Sequence, residues 1–225
     1  MANSIAIDGP AGAGKSTIAK IVSKKLGFIY VDTGAMFRAM AICCLDAGVN
    51  IDEEEAVSSL CKDIDIDIEY KDGVQQVITN GKNVTGRLRD EATGNAASVI
   101  APYRKVREIL KQLQRSLAKV RNVVMDGRDI GTCVLPDATC KIYLTASVAV
   151  RAQRRAKELA EKGIEVDMAK IEADIKDRDY RDMHRNIAPL KKADDAAEVD
   201  SSDMTIDEVV DAIIERYNEA RAVKE

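Results

Sequence analysis

Tryptophan is missing from this chain of 225 residues, and aromatic residues together make up 4% of it. Sequence-tolerant binders of single strands stack bases on aromatic side chains, so this composition argues against such a platform. Neither sign of charge is in large excess: 34 Lys and Arg stand against 38 Asp and Glu, a net −4 with a pI near 5.3. A long polyanion would meet no basic surface, and any anionic ligand has to be held by locally placed arginines. That favours a small phosphate ester over nucleic acid. No apolar run approaches the ~20 residues of a membrane span. The five cysteines, Cys43, Cys44, Cys61, Cys133 and Cys140, contain no Cys-x2-Cys pair and have one histidine, His184, to support them. They read as reduced, buried small hydrophobes rather than as a disulfide framework, metal set or nucleophile. With no signal peptide in view, the expectation is a cytoplasmic monomer whose partners are small molecules, with no membrane and no nucleic acid among them.

Against these absences one motif stands out. Gly9, Pro10, Ala11, Gly12, Ala13, Gly14, Lys15 and Ser16, followed by Thr17, spell a Gly-x4-Gly-Lys-Ser phosphate-binding loop. It lies between the apolar run Ser4–Asp8 and an amphipathic stretch from Lys15 to Leu26. The glycines let backbone N–H groups converge on phosphate oxygens, Lys15 supplies a cation for the β- and γ-phosphates, and the Ser16 hydroxyl suits Mg²⁺. The following helix adds its N-terminal dipole. The chain is therefore read as a nucleoside-triphosphate user.

Five candidate buried strands, at 4–8, 28–32, 122–126, 141–145 and 198–200, each lie next to a helical pattern, which implies a parallel α/β sheet. The last helix is marked by Ile206, Val209, Val210, Ile213, Ile214 and Tyr217 and by a capping box of Thr205 and Glu208. One segment departs from this plan. Ile64, Ile66, Ile68 and Tyr70 alternate with acidic residues at a period of two, and the turn signals Lys71-Asp72-Gly73 and Asn80-Gly81 bracket a second short strand. A small antiparallel meander over 64–85 is expected, inserted into the α/β core. Helical sequence resumes from about Arg87 through Ser116, with Pro102 expected at the first position of the second of two helices.

The remaining motifs decide what is done with the phosphate. A second buried strand ends in Asp32, and Thr33 and Gly34 open a helix carrying Arg38, so a second phosphate or a sugar is expected near Asp32, Thr33 and Arg38. Val123–Met125 lead into Asp126, the form of an acidic residue that holds Mg²⁺ through water opposite a phosphate loop. Arg128 and Asp129 come next, between two glycines, a placement suited to lining a cleft. Arg151, Arg154 and Arg155 then share one helix, and Arg178, Arg181 and Arg185 the next. Charge pairs such as Asp177–Arg181 and Arg178–Asp182 would make an ordinary solvated helix. In an acidic protein, however, this local concentration suits a lid that neutralises a moving phosphoryl group and excludes water. His184 is given no role, because transfer to a phosphate oxygen needs no protein base.

Assembled in order, GPAGAGKST, VDTGAMFRA, NAAS, DGRDIGT and RDYRD with Arg185 and APL resemble the bacterial-type cytidylate kinases over nearly the whole chain. The resemblance implies a P-loop three-layer α/β/α fold, with a five-stranded parallel sheet in order 2-3-1-4-5, a small antiparallel β insertion and a helical lid. It implies one kinase domain over 1–225. Its core would take about 1–33, 118–150 and 187–225, its monophosphate-binding region about 34–117, and its lid about 151–186. The implied reaction moves the γ-phosphoryl group of ATP to CMP or dCMP with Mg²⁺.

Carried over by position, Thr33 lies near the sugar, and Arg38, Arg128 and Arg185 hold the monophosphate. Ser98, Arg107 and Asp129 read cytosine, Arg178 and Asp182 contact the sugar, and Arg151 and Arg155 reach ATP. An acidic acceptor beside an arginine donor suits cytosine, which donates at N4 and accepts at N3 and O2, whereas uracil would turn O4 toward a carboxylate. Thr33, Phe37 and Ser16 stand where other members also carry serine, tyrosine and glycine. Other acceptors, such as AMP, UMP or shikimate, stay open on the residues alone. A regulatory GTPase is disfavoured because Asp126 continues as Gly-Arg-Asp rather than Asp-x2-Gly. A non-catalytic scaffold is opposed by the presence of every charged group that transfer requires.

Overall fold

The computed structural model describes residues 2–161 and 163–224. Residues 1, 162 and 225, which the expected domain and lid ranges include, lie outside it. The chain divides into two compact units, Met1–Tyr30 with Arg121–Glu225, and Val31–Val120. Among the described residues no helix is long and apolar enough to cross a membrane.

The first unit is built on a sheet. Strand β1 (Ser4–Asp8) runs into the phosphate-loop segment, and helix α1 (Lys15–Leu26) comes after it, closed by Gly27 in the left-handed conformation. Strand β2 spans Ile29–Asp32. The five-stranded sheet also contains strands at Val123–Gly127, Cys140–Thr145 and Ala197–Asp200, numbered β6, β7 and β8 in chain order. Its order is β2-β6-β1-β7-β8, and β1 pairs in parallel with β6 and β7, as β7 does with β8. Counted within the sheet alone this is the expected 2-3-1-4-5. All five residues of β1 are buried, which is why the strand reads as a continuous apolar run rather than as an alternation.

Ile5, Ile7, Val124, Ile142 and Leu144 from the sheet meet Ile18 and Val22 of α1 in one core. Helix α8 (Ile206–Lys224) adds Val209, Val210, Ile213 and Tyr217, and the Tyr217 ring meets Phe28 edge-on at 5.6 Å. The expected capping box is formed, with Thr205 N–H donating to Glu208 at 2.8 Å and Glu208 N–H to Thr205 Oγ1 at 3.3 Å. Between β7 and β8 lie two helices, α6 (Val148–Glu161) and α7 (Met168–His184), packed through Ala152, Ile171 and Ile175.

In the second unit α2 (Thr33–Asp46) is the central element, buried through Met36, Met40, Ala41 and Ile42. It packs against helices at Glu91–Ile100 (α4) and Arg104–Val120 (α5). The alternating segment folds as expected. Strands β3 (Ile66–Lys71) and β4 (Val74–Thr79) pair antiparallel, with Ile66 and Ile68 buried and Asp67 and Glu69 exposed. Asp72, Gly73, Asn80 and Gly81 all take positive φ, as primed hairpin turns require.

Three local expectations are corrected. Ile64 precedes the strand. The last strand, β5, is only Lys82–Asn83, because a 3-10 turn takes Thr85–Arg87. Pro102 sits in the turn before α5, where Tyr103 N–H donates to the Ile100 carbonyl and the Tyr103 carbonyl accepts from Arg107, so the helix begins after Tyr103. Helix α3 (Glu54–Cys61) was not anticipated, being eight residues long with only Val57 and Cys61 buried.

Gly9 begins a turn that admits no side chain. Its φ is +151°, and a Cβ built there would lie 1.9 Å from the Leu144 carbonyl oxygen on β7. Gly9→Ala is expected to lower unfolding free energy by at least about 2 kcal/mol in urea titration, since backbone strain and a clash against a strand add together.

Candidate active site

Parallel register brings the functional loops together. Ile7 and Asp126 are partners on β1 and β6, as are Asp8 and Gly127, so the segments at 9–16 and 128–130 leave the sheet side by side. In open α/β sheets ligands bind at such strand ends. Lys15 is buried, and its ammonium group donates to the Pro10 carbonyl at 2.7 Å. Burial, then the neighbouring Arg128, pushes its pKa well below the ordinary lysine value, against the pull of Asp126 and Asp8. Ser16 Oγ donates to Asp126 Oδ2 at 2.9 Å, while the Tyr30 hydroxyl takes Asp126 Oδ1 at 2.8 Å. A hydroxyl and a carboxylate oxygen in contact are hard donors of the kind Mg²⁺ accepts beside phosphates and water. Among the described residues no group of three or more His, Cys, Asp or Glu forms a metal cluster.

Beyond β6 the chain makes a π-helical turn at Ile130–Val134, where the Asp129 carbonyl accepts from Cys133 and Val134 and Leu135 N–H reaches Ile130. This turn sets out a network of charges. Arg128 Nε donates to Asp182 Oδ2 at 2.7 Å, Arg185 Nη2 lies 3.3 Å from Asp129 Oδ1, and Arg185 Nη1 lies 4.0 Å from Asp182 Oδ1. Burial would raise the Asp182 pKa, but Arg128, Arg178 and Arg185 hold it below the usual carboxylate value. Arg178 is among the charges that act on Asp182, as its spacing on α7 leads one to expect, but it does not act alone. Asp182 also reaches across to Arg128, and Arg181 Nε donates to the Asp177 carbonyl at 3.4 Å.

The arginines of α6 take different positions from one another. Arg151, expected at ATP, is 4% exposed and donates to the Ala146 carbonyl, to the Ala11 carbonyl of the phosphate loop, and to Asp179 of α7 at 2.7 Å. It clasps the loop to both helices. Arg155 is half exposed and pairs with Glu158 at 2.9 Å. Arg154 holds Ser201 beyond β8, through Oγ at 3.1 Å and the carbonyl at 2.7 Å.

The second unit carries its own share of the expected residues. Asp32 caps α2 by accepting from Ala35 N–H at 2.9 Å, and Thr33 is buried beside it. A Cβ on Gly34 would lie 3.3 Å from Arg38 Nη1, so the glycine leaves room for that guanidinium. Ser98 donates to the Gly94 carbonyl within α4, and Arg107 donates to Ala101 and lies over the Phe37 ring at 5.5 Å.

Sequence reasoning missed four residues of the first unit. Asp8 is 4% exposed and accepts from Ile130 N–H at 2.8 Å and Gly131 N–H at 2.7 Å, yet burial pushes its pKa up to about 6. Tyr30 orients Asp126. Lys141 is buried over Gly131 and reaches Asp195 at 2.8 Å. Ala188 adopts φ +50°, with its carbonyl taken by Arg185 at 2.6 Å and the next turn closed by Leu190 N–H on Asp182. Asp8 carries one local signal, its place between a buried strand and the phosphate loop. The others carry none.

The Arg151–Asp179 pair is buried, and Asp179 Oδ1 has no hydrogen-bond partner among the described residues. Arg151→Ala, which strands that carboxylate, is expected to cost about 3–5 kcal/mol in urea denaturation. Arg151→Met combined with Asp179→Leu is expected to cost clearly less than the sum of the two single changes.

The family model described as "Cytidylate kinase" matches residues 5–219. A cytidylate kinase of Lactobacillus johnsonii is 51% identical over 94% of this chain and 92% of its own length. One of Caldicellulosiruptor saccharolyticus is 47% identical over 95% and 94%. A solved structure of an uncharacterized protein from Eubacterium ventriosum has a TM-score of 0.53 at 15% identity, covering 97% of this chain and 99% of that one, which speaks to the fold alone. With a family match over nearly all of its residues and relatives at about half identity, the chain belongs to the cytidylate kinase family.

Proposed function

We propose that the protein transfers the γ-phosphoryl group of ATP to CMP or dCMP, giving ADP and CDP or dCDP. The observation that carries the reading is the charge network beside the phosphate loop, in which Asp129 is buried against Arg185 while Arg128 faces Asp182. It supplies both halves of what a cytidine monophosphate offers, an acceptor for the cytosine N4 amino group and cations for the phosphate.

In this reading the loop Gly9–Ser16 with Thr17 cradles the ATP phosphates, Lys15 leaves the Pro10 carbonyl for the β- and γ-oxygens, and Arg155 approaches the triphosphate. Arg151 supports the loop from beneath. Ser16 and Asp126 would hold Mg²⁺, which would supply charge neutralisation on the phosphates. Arg128 and Arg185, with Arg38 of the second unit, take the acceptor phosphate. Thr33, Asp32, Arg178 and Asp182 serve the sugar, and Ser98, Arg107 and Asp129 the base. Phosphoryl transfer spreads charge over three oxygens with little covalent work for the protein, so positioned cations are the main requirement. Exchange of Asp182 for a phosphate on Arg128 then makes substrate binding and rearrangement of α7 one event. His184 stacks on Tyr180 at 4.0 Å and stays outside the chemistry.

A panel of monophosphate acceptors with ATP and Mg²⁺ tests the assignment. CMP or dCMP is expected to give the highest kcat/KM, and equal or better turnover of UMP or AMP would overturn it. Asp129→Ala is expected to lower the CMP/UMP ratio of kcat/KM by about tenfold or more while the KM for ATP changes little. Lys15→Ala is expected to abolish transfer in the same coupled ADP-release assay.

A further inference from the structure

We infer that Asp8, a residue with no part in the proposed transfer reaction, is a positioning residue for pyrimidine choice, because it holds the peptide that carries Asp129. The inference rests on the cytidylate kinase reading of the site. Asp8 ends β1 and is joined directly to Gly9, the first residue of the phosphate loop. Its carboxylate is buried and lies across the start of the next loop, accepting from Ile130 N–H through Oδ1 at 2.8 Å and from Gly131 N–H through Oδ2 at 2.7 Å.

The first of these bonds matters most. The Ile130 N–H belongs to the same peptide unit as the Asp129 carbonyl, and that carbonyl accepts from Cys133 at 2.8 Å and Val134 at 3.1 Å. The peptide is therefore gripped at both ends, by Asp8 on one side and the π-helical turn on the other. A planar peptide held at both ends leaves Asp129 few backbone orientations, so the direction of its side chain is set before any ligand arrives.

The next residue fixes the depth of the seat. A Cβ on Gly131 would lie 3.2 Å from Lys141 Cδ and 3.3 Å from Asp8 Oδ2, so the loop rests on the side chains of Asp8 and Lys141 with none of its own between. One carboxylate thus ties the base-reading loop to the strand from which the phosphate loop departs. Loss of one of its hydrogen bonds would let Asp129 shift relative to the base. The phosphate loop, which is also clasped through Ala11, would stay in place.

The test compares the full-length wild type with Asp8→Asn and Gly131→Ala. The asparagine amide turns a donor toward one backbone donor and removes one of the two bonds, whereas the alanine lifts the same loop without altering the carboxylate. Both variants are expected to lower the CMP/UMP ratio of kcat/KM by about tenfold, with the KM for ATP within about twofold of wild type. In Asp8→Asn, amide exchange at Ile130 and Gly131 is expected to quicken by about tenfold or more while amides of β7 keep their protection. Unchanged exchange at those two amides, or a ratio within about twofold of wild type in both variants whatever their melting temperatures, would overturn the role. Should Asp8→Asn fail to fold, Gly131→Ala gives the same reading of the ratio. A wild type that prefers another acceptor would refute the cytidylate kinase reading alone. The positioning role is then read from that acceptor's ratio to the next best and from the exchange rates.

Discussion

Ile7 and Asp126, and Asp8 and Gly127, stand opposite one another on two central parallel strands, and the first unit's chemistry depends on that register. Because β1 and β6 finish level, the loop that would hold a triphosphate and the loop that carries Arg128 and Asp129 begin as neighbours. A slip of one residue would turn every side chain to the other face of the sheet and separate Ser16 from Asp126. β1 is buried along its length and β6 as far as Asp126, so the register is enforced by the core formed by Ile5, Ile7 and Val124 with the helices. Stability and site geometry therefore share one cause.

On this frame the charges are arranged for exchange. Lys15 rests on a backbone carbonyl, Ser16 on Asp126, and Arg128 on Asp182. Each contact satisfies a group that burial would otherwise penalise, and each can be replaced by a phosphate oxygen or a cation. Arg151 is different. Its donors go to the Ala146 and Ala11 carbonyls and to Asp179, so it forms part of the scaffold. Two arginines four residues apart on α6 thus divide the work between holding the loop and facing solvent.

Much of this was legible in the sequence because its signals are local. Continuous apolar runs beside helical patterns gave the strands of the parallel sheet, a two-residue period gave the meander at 66–79, and Thr205 with Glu208 gave the start of α8. The limits were also local. Pro102 looks like a helix start by propensity, yet the turn closed by Tyr103 N–H on Ile100 delays α5 to Arg104. The short helix α3 buries too few residues to leave a periodic trace. On α7, spacing of four points to Arg178 beside Asp182, but it gives no sign of Arg128, 54 residues away and 2.7 Å from the same carboxylate.

The sequence by itself determined that this is an α/β chain with a phosphate-binding loop, acidic strand ends and two arginine-bearing helices, and it carried the motifs of its family. These properties arise from residue type and short spacing, which act within a few bonds of the backbone. Only the tertiary structure decided that Asp8 grips the Ile130 and Gly131 amides, that Tyr30 orients Asp126, that Asp179 holds Arg151 and that Ala188 keeps a strained φ. Each of these depends on groups brought together by packing, whose energies arise only once water has been excluded from between them.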